Sequence, residues 1–161
     1  MTAALRVLHV MALGLWVGAV VFFSFVTAPS LFAALPRDMA GRATAAIFPR
    51  YYLLGWTCGV VAGGALLGQI LRRGSLDGRL FAGVLLLSAM LGSSFYAGRV
   101  ILPRAAAARA AMADPAHPAP ELATWQARFD RLHHQSVALN GVVLLSGILA
   151  LAIAALPPRT S

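Results

Sequence analysis

The chain has 161 residues, of which 60% are hydrophobic and 11% charged, and its mean hydropathy is +0.79. Soluble domains average about 45–50% apolar and about 25% charged residues, so the composition excludes a soluble protein. It predicts an integral membrane protein with a single domain over residues 1–161. The formal net charge is +8, but the arginines flank apolar segments, where they suit lipid phosphates and not nucleic acid.

Four apolar segments are long enough to cross a bilayer, which takes about 20 helical residues. They are predicted at about residues 4–28, 51–70, 80–101 and 134–156. The first resembles a signal peptide, but its apolar part exceeds the usual ~7–15 residues, and we interpret it as a helix. The pattern predicts an all-α fold, a four-helix bundle of antiparallel up-down-up-down topology, and no internal sequence repeat is visible.

The connections between the spans differ in character. Residues 31–46 are predicted to be a short amphipathic connection, and Pro49 is predicted in the first turn of the second helix. Residues 72–79 (R-R-G-S-L-D-G-R) are typical of a tight charged turn. Between the third and fourth spans, residues 104–133 predict an amphipathic extramembrane helical extension. It is broken at 114–120, and the long helix that follows ends before Pro157.

Small residues recur at four-residue intervals within the spans. Gly55, Gly59 and Gly63 show this spacing in the second span, as do Gly14 and Gly18 in the first. Such faces let membrane helices approach closely. We interpret them as packing surfaces of the bundle. The alternatives are a mobile or pore-lining role, or homo-oligomer or scaffold contacts.

Polar residues are expected to converge in one half of the bundle. Antiparallel topology places the starts of the second and fourth spans beside the ends of the first and third. Polar groups in a span are costly and usually face a site or a wet cavity. We therefore predict a binding site for a metal ion, an anion or a small polar solute. Its predicted residues are Arg50, Tyr51, Tyr52, Tyr96, Arg99, Asp130, His133, Ser136 and Asn140, with Ser24, Thr27, Ser93 and Ser94 nearby. The alternative is an interfacial belt of Arg and Tyr side chains.

Two histidine patterns suggest further chemistry. Asp130 with His133 and His134 has the i, i+3 and i, i+4 spacing of metal ligands or a proton relay on one helix. His9 lies near the opposite face and could serve as an axial haem ligand, with Met11 or Gln69 on the other side. No nucleophile elbow or phosphate loop is visible. The pattern therefore favours binding over bond-breaking chemistry.

Several motifs together resemble a known family. L-H-V-M-A-L-G-L-W-V-G (8–18), T-A-P-S-L-F (27–32), I-F-P-R-Y-Y (47–52) and F-D-R-L-H-H-Q-S-V-A-L-N (129–140) resemble the domain of unknown function 4149 family. That family is similar to the transmembrane-protein-205 group, with its loose link to metal-drug resistance. The resemblance implies a membrane protein but names no substrate.

A more distant similarity concerns the first helix. The pattern of His9, Trp16 and Gly18 is similar to the first helices of CopD-type copper-resistance proteins and HemJ-type oxidases. This resemblance implies copper handling or haem ligation at His9, although the chain contains no lysine to match a lysine of a haem enzyme. Three hypotheses result: a binding or permeation protein, a haem redox protein and a membrane scaffold. The expected location is a bacterial inner membrane.

Overall fold

The structure is a computed structural model that describes residues 2–114 and 118–156. The middle of the predicted break at 114–120 lies outside these residues. The last long helix was predicted to end at Leu156, and it ends at Ala155, with Leu156 just outside the helix. The described residues are helical apart from short turns and contain four helices long and apolar enough to cross a membrane. The prediction of an all-α four-helix membrane protein is confirmed.

The four spans differ in how continuous they are. The first comprises α1 (Thr2–Phe22), a π-helical segment π1 (Phe23–Thr27) and α2 (Ala28–Ala34), and the second is α3 (Arg37–Arg73). The third comprises α4 (Gly78–Tyr96), a π-helical segment π2 (Ala97–Ile101) and α5 (Leu102–Ala113), and the fourth is α6 (Ala119–Ala155). Consecutive spans run antiparallel. The hydrogen bonds between residues far apart in the chain, described below, require this arrangement.

The two longest helices extend beyond a bilayer. Helices α3 and α6 each contain 37 residues, or about 55 Å at 1.5 Å per residue, against a hydrocarbon thickness of about 30 Å. We call the end of the bundle formed by α2, α5 and the first turns of α3 and α6 the platform end. The opposite end, where α1 and α4 begin and α3 and α6 finish, is the terminal end.

The predicted start of the second helix was wrong. Pro49 lies inside α3, which begins at Arg37, so residues 31–46 do not form a separate connection. The chain breaks instead at Leu35, whose backbone is extended (φ −124°, ψ 151°). Leu35 precedes Pro36, and proline disfavours the helical conformation in the residue before it. At Pro49 the helix continues, at the cost of one backbone donor.

Both π-helical segments precede a proline. The N–H of Ala28 donates to the carbonyl of Phe23, and that of Leu102 donates to the carbonyl of Ala97, each five residues back. Pro29 and Pro103 follow directly. A proline lacks an N–H and its ring clashes with the carbonyl four residues earlier, so a wider turn relieves both problems. The π segments therefore let each span continue as helix through its proline.

The two halves of the chain repeat one plan. Each half has a span, a five-residue π segment, a short helix with proline in its first turn and a 37-residue helix. Helices α1 and α3 pack together in the first half as α4 and α6 do in the second, and α1·α6 and α3·α4 contacts join the halves. The halves have the same orientation, which is the arrangement of a parallel repeat. The sequence did not reveal it.

The centre of the bundle is apolar and closely packed. Leu13, Val20 and Met90 are fully buried. Trp16 fills the space beside Gly55, where an added Cβ would lie 2.6 Å from the indole nitrogen. Gly59 contacts Trp16 and Leu91 in the same way. The interpretation of these glycines as packing positions is therefore confirmed.

The other predicted small-residue face packs against nothing in the part of the chain that the structure describes. Gly14 and Gly18 are exposed, and an added Cβ would meet nothing within 4 Å. Contact of these glycines with another chain stays a prediction.

The charged turn between the second and third spans forms as predicted. Helix α3 ends at Gly74, which adopts φ 66°, a left-handed conformation that glycine tolerates best. Asp77 then caps α4 by accepting hydrogen bonds from the N–H groups of Arg79 (3.0 Å) and Leu80 (2.8 Å). Its carboxylate also pairs with Arg73 at 2.8 Å.

Candidate functional site

A hydrogen-bond network connects three spans near the platform end. The hydroxyl of Tyr51 in α3 donates to Asn140 Oδ1 in α6 at 2.5 Å, and Asn140 Nδ2 donates to Ser24 Oγ in π1 at 2.9 Å. Tyr51 and Asn140 are 89 positions apart along the chain, and Asn140 and Ser24 are 116 positions apart. We call Tyr51, Asn140 and Ser24 the platform network. Its three members are half-buried.

Further hydroxyl groups surround the network. Tyr52 is buried and its hydroxyl interacts with the side chain of Ser136. A small cavity of about 10 Å³ lies beside Asn140 and Tyr51. The lining of this cavity consists of Trp16, Tyr51, Tyr52, Ser93, Ser94, Ala97, Leu139, Asn140 and Val143. A cavity of this size holds about one water molecule, so the site is nearly closed in this structure.

The network has unused hydrogen-bonding capacity. Neither the second amide hydrogen of Asn140 nor the hydroxyl hydrogen of Ser24 has a partner among the described residues. Both groups are donors. A ligand with a carbonyl or hydroxyl oxygen would therefore find donors in place.

The charged residues predicted for this site lie outside it. Arg50, Arg99, Asp130 and His133 are exposed, and Tyr96 is 47% exposed. Tyr96 and Arg99 thus point away from the bundle, and Ser94, which is 5% exposed, points inward instead. Of the predicted set, the structure brings together Tyr51, Tyr52, Ser136 and Asn140. It leaves Tyr96 and the four residues with charged or imidazole side chains outside.

The predicted metal residues lie along the outer face of α6. Asp130 Oδ1 accepts a hydrogen bond from Gln126 Nε2 at 2.9 Å, and the ring of His133 stacks on Phe129 at 6.3 Å between centroids. His134 is also exposed. Within residues 2–114 and 118–156, no three His, Cys, Asp or Glu side chains are grouped so that they could hold a metal ion. The described part of the structure therefore adds no further metal ligand to Asp130, His133 and His134.

The platform end is held together outside the network by Arg109. Its Nη1 donates to the carbonyl of Gly41 in α3 at 2.5 Å, and its guanidinium lies 5.1 Å from the ring centre of Phe129 in α6. Cation–π contacts of this kind stabilise by about 0.5–2 kcal/mol. Arg109 therefore fastens α5 to both long helices, and this is a structural role.

His9 lies at the other end of the bundle. It is 4% exposed, and its Nδ1 is 2.9 Å from the carbonyl of Ala62. A haem bound here would need a space far larger than the adjacent cavity of about 50 Å³, since sites for organic ligands usually measure about 300–1,000 Å³. Met11, one proposed second ligand, is 67% exposed, whereas Gln69 is buried beside the cavity. The residues present do not fit a haem.

Two features of the platform network escaped sequence reasoning. Trp16 lines the cavity beside Asn140, but in sequence it is only one aromatic residue in an apolar span. The π1 segment shifts the helical register around Ser24, which a regular 3.6-residue period cannot show. The proline at position 29 is the signal that could have suggested it.

Comparison with known proteins gives one match. A family model described as a domain of unknown function (DUF4149) matches residues 11–114, which are 104 of the 161 residues. The matched range covers α1 from its third turn onward, π1, α2, α3, α4, π2 and α5, and does not include α6. No curated protein and no solved structure matches the chain. Since the family model matches more than half of its length, the chain belongs to the DUF4149 family.

Proposed function

We propose that this protein is a membrane-embedded binding or permeation protein, and that the platform network receives a small uncharged polar solute. The observation that carries the proposal is the hydrogen-bond chain from Tyr51 through Asn140 to Ser24, which joins three spans around a small cavity. Polar side chains within membrane helices are costly and usually serve a site or a cavity.

The chemistry of the lining favours an uncharged ligand over a metal ion. The groups around the cavity are hydroxyls and one amide, with no carboxylate or imidazole among the described lining residues. Carboxylates, imidazoles and thiolates are the usual protein ligands of transition metals. The free donors of Asn140 and Ser24 suit a carbonyl or hydroxyl oxygen. A small amide or alcohol therefore fits best.

The π segments support the same location. Ala97 of π2 lines the cavity, and Ser24 of π1 is hydrogen-bonded to the lining residue Asn140. π-Helical turns are rare and frequently occur at functional sites. They also give α1 and α4 backbone carbonyls that are not in regular α-helical register. These are places where the spans can shift to admit a solute.

Acrylamide tests the proposal because it is a small neutral amide that quenches tryptophan fluorescence. Trp16 is 2% exposed and lines the cavity, so a Trp56→Phe/Trp125→Phe protein reports on this site alone. We expect saturable quenching of Trp16, reduced at least about fivefold by Asn140→Leu, with acetamide competing. His133→Ala, which alters an exposed residue of the same helix, is the matched control and should leave quenching unchanged.

The same variants separate binding from permeation. Osmotic shrinkage of proteoliposomes in acetamide measures passage of the solute, and loss of this flux in Asn140→Leu but not His133→Ala would establish permeation. Quenching without flux would establish binding alone. Trp16 fluorescence that acrylamide cannot quench, together with no flux above that of empty liposomes, would refute the proposed site.

A further inference from the structure

A second polar cavity lies at the terminal end, separated from the platform network by the apolar core. Its volume is about 50 Å³, and its polar lining consists of Arg6, His9, Gln69, Arg73 and Arg79. One water needs about 10–15 Å³ of such volume. The cavity therefore holds roughly three to five waters, or one small oxyanion.

Two buried side chains lack partners for part of their polar atoms. His9 is 4% exposed and Gln69 is 8% exposed. His9 Nδ1 meets the carbonyl of Ala62, which can only accept, so Nδ1 carries a hydrogen and Nε2 is the free nitrogen. Gln69 makes one long hydrogen bond, from Nε2 to the carbonyl of Ala65 at 3.3 Å. Neither His9 Nε2 nor Gln69 Oε1 is paired within the described residues.

Two of the arginines are fixed by the end of α6. Arg6 donates from Nε to the carbonyl of Ala154 at 3.0 Å and from Nη2 to that of Leu156 at 2.5 Å. Arg79 donates from Nη2 to the carbonyls of Ile153 (2.6 Å) and Leu156 (2.7 Å). A helix C-terminus carries about half a negative charge. The guanidinium of Arg6 alone exceeds it, so this part of the cavity wall is positive.

The positive charge of the third arginine, Arg73, is balanced by a carboxylate that does not line the cavity. Arg73 pairs with Asp77 at 2.8 Å, and both side chains are about two-fifths exposed. Asp77 is not part of the lining, and no other carboxylate side chain belongs to it among the described residues. The cavity therefore combines net positive charge with buried hydrogen-bonding groups.

We propose that this cavity binds a small oxyanion of the phosphate class, either free phosphate or the phosphate of a lipid headgroup. Guanidinium groups match the geometry of phosphate oxygens and bind them with charge-assisted hydrogen bonds. The amide of Gln69 and the free nitrogen of His9 supply the remaining contacts, and a protonated phosphate oxygen can donate to His9 Nε2. The site does not depend on the platform network.

The first test uses inorganic phosphate with delipidated full-length protein at constant ionic strength. Calorimetric titration should show saturable binding, weakened about tenfold by Arg73→Gln, which removes one charged donor. Arg72→Gln is the matched control, because Arg72 is the exposed neighbour that does not line the cavity. Asp77→Asn breaks the Arg73 ion pair but keeps the cation. Both controls should stay within about twofold of wild type.

The second test uses dioleoyl phosphatidic acid, with dioleoylglycerol as its phosphate-free counterpart. Native mass spectrometry should show phosphatidic acid retained by wild type and Arg72→Gln, and lost from Arg73→Gln, if a headgroup is the ligand. Phosphate that binds by calorimetry and displaces no phosphatidic acid would identify the free ion. Absence of binding to both probes, or equal weakening by Arg72→Gln and Arg73→Gln, would overturn the proposal.

Discussion

Polar groups are costly inside a membrane, and the two ends of the bundle accommodate them differently. At the platform end, neutral side chains satisfy one another through the Tyr51–Asn140–Ser24 network, and the cavity measures only about 10 Å³. At the terminal end, Arg6 and Arg79 bind backbone carbonyls of α6 and surround a cavity of about 50 Å³. The platform end thus pairs most of its polar side chains with one another. The terminal end leaves His9 Nε2 and Gln69 Oε1, of two residues that line the larger cavity, unpaired within the described residues.

Glycine placement explains part of this difference. Near the platform end, an added Cβ at Gly55 or Gly98 would lie 2.6–2.9 Å from an aromatic side chain, so helices approach closely there. Near the terminal end, Gly68 is less tightly packed, with its nearest contact to Leu5 at 3.1 Å. Closer approach excludes water. Four predictions test this contrast, from the largest expected effect to the smallest.

Gly55→Val should be the most damaging change. The added side chain would overlap Trp16 in the packed part of the bundle, and overpacking usually costs about 1–3 kcal/mol. Unfolding by sodium dodecyl sulfate in mixed micelles measures this loss. Gly64→Val is the control on the same helix, because nothing lies within 4 Å of the position. Equal destabilisation by both variants would contradict the close approach.

Arg6→Gln should destabilise the terminal end by about 2 kcal/mol, since it removes charged hydrogen bonds to the last carbonyls of α6. Hydrogen exchange should show faster opening of the α6 C-terminus and little change near Asn140. Arg72→Gln, with the same loss of charge at an exposed position, should change stability by less than about 0.5 kcal/mol. Uniform faster exchange along the helix would mean that Arg6 is not a local cap.

Tyr51→Phe and Asn140→Leu should be energetically coupled. A double-mutant cycle is expected to give about 0.5–1.5 kcal/mol, the range for side-chain hydrogen bonds in membrane helices. The same cycle with His133→Ala in place of Tyr51→Phe should give a coupling near zero, because His133 lies outside the network. A coupling near zero in both cycles would show that the platform network contributes nothing to folding.

Asp77→Ala should have the smallest effect, and it should depend on pH. The N–H of Leu80 and the Arg73 guanidinium lower the pKa of Asp77 below its ordinary value. Its stabilisation is therefore complete above about pH 4, where the unfolded carboxyl is also ionised, and is lost as pH falls through the folded pKa.

Thermal unfolding of wild type and Asp77→Ala measures this dependence. The difference should be under about 1 kcal/mol at pH 7, because the side chain is largely exposed. It should shrink below about pH 4. A difference that stays constant or grows on acidification would contradict the assigned role of the carboxylate.

Much of the fold could be predicted because membrane helices are specified locally. Length and hydropathy give four spans, and the residues R-R-G-S-L-D-G-R give a turn that the structure confirms around Gly74 and Asp77. The start of α3 could not be predicted in this way. Pro49 is compatible with either a first helical turn or a helix interior, and packing of the first turns of α3 against α2 and α5 decides between them.

The predicted convergence of polar side chains occurs for Tyr51 and Asn140 and not for the charged residues, and that these side chains form a binding site stays a prediction. Tyr51 and Asn140 meet because antiparallel topology places them at the same depth, which chain order already implied. Arg50 lies at that depth, and His133 lies about two turns (about 10 Å) from Asn140 on the same helix. Both face outward, because the rotation of a helix about its axis depends on its neighbours. Gln69 joined the terminal cavity for the same reason. In the sequence, Gln69 stands within an apolar run that gives no sign of a polar cavity.

The sequence by itself determined a four-span antiparallel membrane protein with its polar residues near the bundle ends, since hydropathy and chain order depend only on local composition. Tertiary structure alone decided which of those polar groups face inward, where π segments absorb Pro29 and Pro103, and that the two halves repeat one plan. These features depend on helix rotation and register. Both are set by side-chain packing between segments that are far apart in the chain.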